Sequence, residues 1–118
     1  MRAAVIGATG FVGRALVPVL AQRGEVIAVS RRGAAVDVPG VRALAADVTG
    51  SIRGALEGVD VAYYLVHSLG SRNFSELDRR AAENVAAEAD RAGVSQIIYL
   101  GGLGEDQPHF SAHLRSRM

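Results

Sequence analysis

The sequence contains no cysteine and no lysine. Without cysteine, neither a disulfide nor a thiolate metal site can form. Without lysine, chemistry that needs a lysine amine, as Schiff base or as pKa-lowering partner, cannot be run by this chain alone. All thirteen basic residues are arginine. An excess of either charge is missing too. The net charge of +1 predicts neither nucleic-acid nor membrane binding. No apolar run approaches the roughly 20 residues that span a bilayer. Met1-Arg2 runs straight into Ala3-Ala4-Val5-Ile6 and a glycine. That is too short for the core of a signal peptide, so the expected location is cytoplasmic. There is no internal repeat and no low-complexity tract.

What is present fits a globular chain. Apolar residues make up 49% of 118 residues and charged residues 21%, enough for one domain over residues 1–118 with one small core. Short apolar runs alternate with helical stretches, the pattern of a parallel sheet with crossover helices. The first strand reads Ala3–Ile6. A helix follows from Phe11 to Arg23, with Val12, Leu16, Val19 and Leu20 on one face, Pro18 inside it and Gly24 as its stop. The second strand reads Val26–Val29. A loop from Gly33 to Gly40 leads to a third strand, Val41–Ala45, ending at Asp47-Val48. Ser51 is placed to cap a short helix through Glu57. Val59–Val66 reads as a central strand buried on both faces. A longer helix runs from Phe74 to Ala92, with Leu77, Ala81, Val85 and Ala89 as its apolar stripe and Gly93 ending it. The fifth strand reads Val94–Leu100. Right-handed crossovers then predict a doubly wound α/β sheet in the order 3-2-1-4-5. Ligands of such sheets bind beyond the carboxyl ends of the strands, where the order reverses.

Gly7-x-x-Gly10-x-x-Gly13 lies between the first strand and the first helix. The first glycine allows a tight turn. The second lets backbone approach a pyrophosphate, and the third lets the helix pack closely on the strand. Free amides at the helix start then face the anion. The strand–turn–helix context turns this spacing into a Rossmann-type dinucleotide signature; the alternative is a glycine-rich turn without a ligand. The second strand ends in Ser30-Arg31-Arg32, where a NAD site places an acid for the ribose 2′-hydroxyl. Two arginines suit the 2′-phosphate of NADP instead. NADP(H) is therefore expected over NAD(H), against the alternative of two solvated surface arginines.

Asp47-Val48 can reach the adenine ring, or Asp47 can cap a turn. His67-Ser68-Leu69-Gly70-Ser71 falls at the switch point, so His67 and Ser68 are candidates for hydrogen bonding or proton transfer beside a nicotinamide; ordinary turn residues are the alternative. Asn84, mid-helix, reads as a solvated or helix-packed residue, with pointing to a site as the alternative, and Tyr63, Tyr64 and Tyr99 read as packing residues. Gly101-Gly102-Leu103-Gly104 would permit close approach of a ligand. His109 and His113 lack the partners of a metal site, so no metal is expected.

Taken together, the Gly7–Gly13 loop, Ser30-Arg31-Arg32, Asp47-Val48 and Asn84-Val85 resemble the short-chain dehydrogenase/reductase superfamily in its extended and atypical branches. More narrowly, Ala62-Tyr63-Tyr64-Leu65-Val66-His67-Ser68-Leu69-Gly70, Ile98-Tyr99-Leu100-Gly101-Gly102-Leu103-Gly104 and His113-Leu114-Arg115-Ser116-Arg117 are similar to the NmrA-like NAD(P)H-binding proteins, within them the group bearing an extra C-terminal domain. The resemblance spans the whole chain. It implies cofactor contacts at Gly7, Thr9, Gly10, Phe11, Val12, Gly13, Ser30, Arg31, Arg32, Asp47, Val48 and His67, with His67, Ser68 and His113 as catalytic candidates. The superfamily's active enzymes carry a Tyr-x-x-x-Lys pair. Here His113 and Arg117 stand near those positions, and arginine cannot replace a lysine that tunes a tyrosinate. Family members also continue into a further helix, a sixth strand and a substrate region. The expectation is therefore an N-terminal cofactor half, its fifth strand exposing an apolar edge from Ile97 to Leu100. Such an edge favours homo-oligomers through that strand or the adjacent helix. Three functions stay open: an NADP-dependent oxidoreductase acting on a small molecule, a non-catalytic redox sensor, and a truncated product without its own activity.

Overall fold

The computed structural model describes residues 1–65 and 74–99. Seven elements follow in order: β1 (Arg2–Ile6), α1 (Phe11–Ala21), β2 (Glu25–Ser30), β3 (Val41–Ala45), β4 (Val61–Tyr64), α2 (Phe74–Ala92) and β5 (Gln96–Tyr99). The strands form one parallel sheet in the order β3-β2-β1-β4-β5, as the crossover rule required. Chain reversal between β1 and β4 puts the switch point at the carboxyl end of β1.

Alternation along each strand divides the core into two layers. Ala4, Ile6, Ile27, Val29, Ala62, Tyr64 and Ile97 face α2, which buries Ala81, Val85 and Ala89 against them. Val5, Val26 and Ala28 face the other way and meet Val17, Leu16 and Leu20 of α1. Tyr64 stacks on Tyr99 with ring centroids 5.7 Å apart, while Tyr63 is half-buried. The tyrosines of the described residues thus pack, as expected.

Several boundaries differ from the sequence reading. Strand β1 begins at Arg2, and β2 runs from Glu25 to Ser30. Helix α1 passes through Pro18 and closes at Ala21 rather than Arg23. The Arg23 amide donates to the Leu20 carbonyl at 2.9 Å, a three-residue closure that tightens the end. A Cβ at Gly24 would run into the Met1 carbonyl oxygen, so that glycine serves close approach. The helix expected over Ser51–Glu57 does not form. Residues 53–58 make successive turns, because Gly54 and Gly58 adopt φ of +91° and +75°, outside the right-handed helical region. Strand β4 is shorter than Val59–Val66: the Val59 amide is engaged by the Leu56 carbonyl of the last turn, at 3.1 Å. Val94 does not join β5, because its amide closes α2 on the Ala89 carbonyl at 2.9 Å, past Gly93 at φ +77°. Val66 and Leu100 lie outside the described residues.

No helix among the described residues is long and apolar enough to cross a membrane.

Candidate functional site

Three turns step off the carboxyl edge of the sheet side by side, one each from β1, β2 and β3. The first is the glycine loop. Gly7 takes φ +96° and packs against the Leu65 backbone. Its amide and that of Ala8 both donate to the Val29 carbonyl, at 2.9 and 3.1 Å, which ties the loop across the end of β2. Gly13 sits under the loop, where a Cβ would collide with the Gly7 oxygen and stand 2.8 Å from the Ala8 Cα. Gly10 differs. A Cβ there would meet only the Gly7 oxygen, at 3.4 Å, and its φ of −76° is open to any residue.

Gly10 is the N-cap of α1. The cap has no side-chain hydrogen bond, and the first turn carries no acidic residue. The leading amides of this helix therefore lack the side-chain acceptor that usually satisfies them. Thr9, Gly10, Phe11 and Val12 are all exposed around them, Phe11 at 93%. An anion fits this arrangement: the leading amides and the helix dipole favour it, the cap residue has no side chain, and the first turn has no carboxylate.

The second turn follows β2. Ser30 is buried, and its hydroxyl oxygen accepts the Ala34 amide at 3.1 Å. The Ser30 carbonyl accepts the Gly33 and Ala46 amides. Gly33 adopts φ +66° and lies against Ala45. Ser30 thus shapes the turn, and Arg31 and Arg32 are its exposed charged side chains.

The third turn follows β3. Asp47 Oδ1 accepts the Thr49 amide at 3.0 Å and the Thr49 hydroxyl at 2.7 Å. The Gly50 amide closes the turn on the Asp47 carbonyl at 2.9 Å. These bonds from Thr49, with the nearby Arg31 charge adding, hold the Asp47 carboxyl below its ordinary range. Of the two roles open to Asp47, the turn-capping one is directly visible. The Val48 side chain is buried in the α2-side core, so only its backbone can face a ligand.

The NAD(P)H-binding family matches residues 7–117, from the first glycine of the loop nearly to the last residue.

The chain belongs to the NAD(P)H-binding family.

Its cofactor is accordingly a nicotinamide dinucleotide. No match was found among curated protein sequences. Solved structures share the fold. A variant of uronate dehydrogenase from Agrobacterium tumefaciens, complexed with NAD, superposes with a TM-score of 0.75 at 18% identity, over 86% of this chain and 40% of that one. UDP-N-acetylglucosamine 4-epimerase from Bacillus cereus superposes with a TM-score of 0.68 at 23% identity, over 84% and 36%. MoeE5 in complex with UDP-glucuronic acid and NAD gives a TM-score of 0.69 at 20% identity, over 99% and 47%. This NAD(P)H-binding chain thus spans less than half the length of each of these structures.

The structure brings Gly7, Thr9, Gly10, Phe11, Val12, Gly13, Ser30, Arg31, Arg32, Asp47 and Val48 to one edge of the sheet. His67, Ser68 and His113 lie outside the described residues, as do His109 and the glycines after β5. Two side chains were not singled out for the work they do. Asn84 Nδ2 donates to the Val48 and Gly50 carbonyls, at 2.8 and 2.9 Å. Glu88 is only 4% exposed and accepts the Gly54 and Leu56 amides at 2.9 and 3.1 Å. The available signal was their spacing: residues four apart share a helix face, and a polar pair beside the apolar stripe of α2 should find partners.

Proposed function

We propose that this chain is the NADP(H)-binding domain of an oxidoreductase of the short-chain dehydrogenase/reductase type. The observation that carries the reading is the end of β2. Ser30 is turned into the fold, and Arg31 and Arg32 project where a NAD site would present an acid. A guanidinium matches a phosphate with a fork of donors. In this reading the α1 amides and the glycine loop hold the pyrophosphate, Arg31 and Arg32 hold the 2′-phosphate, and the Asp47–Gly50 turn borders the adenine. A bound nicotinamide would supply hydride chemistry, and the chain supplies binding and orientation. Neighbours complexed with NAD support the dinucleotide in general; the preference for NADP rests on the arginines.

A second reading is a redox sensor that binds NADP(H) without turnover. The resemblance sets His113 near the superfamily's tyrosine and Arg117 four residues later, and an arginine does not tune a tyrosinate as a lysine does. Turnover with a panel of carbonyl and quinone substrates separates the two. A cytoplasmic location and self-association through β5 or the adjacent face of α2 complete the proposal.

A thermal-shift titration with NADP, NADPH, NAD and NADH tests it. Ligand at about 100-fold excess over Kd should stabilise the fold by roughly 2.7 kcal/mol, with NADP(H) binding more tightly than NAD(H). Arg31→Ala should erase that preference and retain NAD binding. Equal loss for both dinucleotides would refute the 2′-phosphate role. No shift with any of them would sink the reading.

A further inference from the structure

A row of three polar side chains on α2 holds the connection between β3 and β4. Asn84 takes the Val48 and Gly50 carbonyls. Glu88, one turn on, takes the Gly54 and Leu56 amides. Arg91, next in the row, bonds Glu88 and reaches Glu57 Oε2 at 2.6 Å. Ile52 and Leu56 bury their side chains beneath the same segment, so its later part is well anchored without Asn84.

The part nearest the proposed site is different. The Asp47–Gly50 turn is closed internally by Thr49 and Gly50, and one side chain, Val48, roots it in the core. The Ala46 amide, bonded to the Ser30 carbonyl, ties the entry of the turn, so the freedom left to it is a tilt about that entry. Two hydrogen bonds from a single amide nitrogen, to carbonyls on either side of Thr49, remove that freedom. An amide suits the position because both partners are acceptors; a carboxylate there would face two oxygens.

We infer that Asn84 is a positioning residue for the dinucleotide: from α2 it sets the tilt of the Asp47–Gly50 turn, and so the wall against which the adenine half rests. The inference depends on the function proposed above. Asn84 reaches the cofactor through the turn and touches no part of the reaction.

The test separates the adenine half from the rest of the cofactor. Affinities of wild type and Asn84→Ala are measured by calorimetry for NADPH and for 2′,5′-ADP, which carries the adenine half alone. Asn84→Ala should weaken both about tenfold, by the same factor, in protein whose circular dichroism matches wild type. A residue that only supports the fold would lower the melting temperature and leave the affinity of folded protein unchanged. Asn84→Asp supplies a second readout. Its carboxylate repels the two carbonyls, and protonation restores one donor, so its 2′,5′-ADP affinity relative to wild type should rise as pH falls. Unchanged affinity in folded Asn84→Ala overturns the inference and leaves the proposed function standing. Where Asn84→Ala does not fold, a flat relative pH profile for Asn84→Asp overturns it equally. Failure of wild type to bind either ligand overturns the proposed function and this inference together.

Discussion

A methyl group added at Gly13 would collide with the Gly7 carbonyl and crowd the Ala8 backbone, whereas one added at Gly10 would meet a single oxygen at ordinary contact distance. The two glycines answer to different demands. Gly13→Ala should destabilise the fold by about 2 kcal/mol, a typical overpacking cost when backbone must move. Gly10→Ala should cost about 1 kcal/mol, since alanine caps a helix less well than glycine, and should weaken dinucleotide binding tenfold or more if the pyrophosphate approaches there. Denaturant melts and NADPH titrations of both variants check this. Retained affinity at Gly10→Ala would count against the phosphate role. The spacing of the glycines was legible from residue order. Which of them packs against backbone and which stays open was not, since that depends on atoms of Gly7 and Ala8 brought back over the helix start. Asp47 is a similar case. Its residue type allowed two roles, and the Thr49 bonds show one of them.

At the level of elements, α2 is both a core helix and a clamp. Its apolar stripe was readable as a period, but Glu88 beside that stripe has partners 32 and 34 residues away. The Arg91 hydrogen bond, aided by the Leu56 and Gly54 amides and opposed by burial, holds the Glu88 carboxyl below its ordinary range. A depressed folded pKa means the contribution is fully present above the unfolded value, about 4.3, and is lost as pH falls through the lower folded value. Glu88→Gln should therefore be less stable than wild type at pH 7, by about 2 kcal/mol. That gap should close as pH falls below about 4. Melting curves between pH 7 and pH 3 check it, and a gap independent of pH would show that the charge is irrelevant. The failed helix over residues 51–57 belongs to the same connection. Serine capping and composition allowed it; Gly54 and Gly58 at positive φ, under the Glu88 clamp, exclude it.

For the whole molecule, strand order followed from alternation of strands and helices plus the handedness of crossovers, and the observed order is the expected one. Among the described residues β5 pairs only with β4, and Ile98 and Tyr99 on it are half-buried. If copies associate through this strand, sedimentation velocity should show a concentration-dependent dimer, and Ile98→Lys should shift it towards monomer. A monomer at all concentrations for both proteins would remove self-association from the proposal.

Period, glycine spacing and the basic end of β2 are local properties of the chain. With the handedness of crossovers they sufficed for the sheet order, the switch point and the place of the glycine loop. The limits of β4 and β5, the roles of Ser30 and Asp47 in their turns, and the Asn84–Glu88–Arg91 row needed the folded molecule. Each turns on a hydrogen-bond partner or a backbone angle that local pattern does not specify. The glycine loop is common to both accounts: residue order identified it, and the fold divided its glycines between close packing at Gly13 and an open face at Gly10.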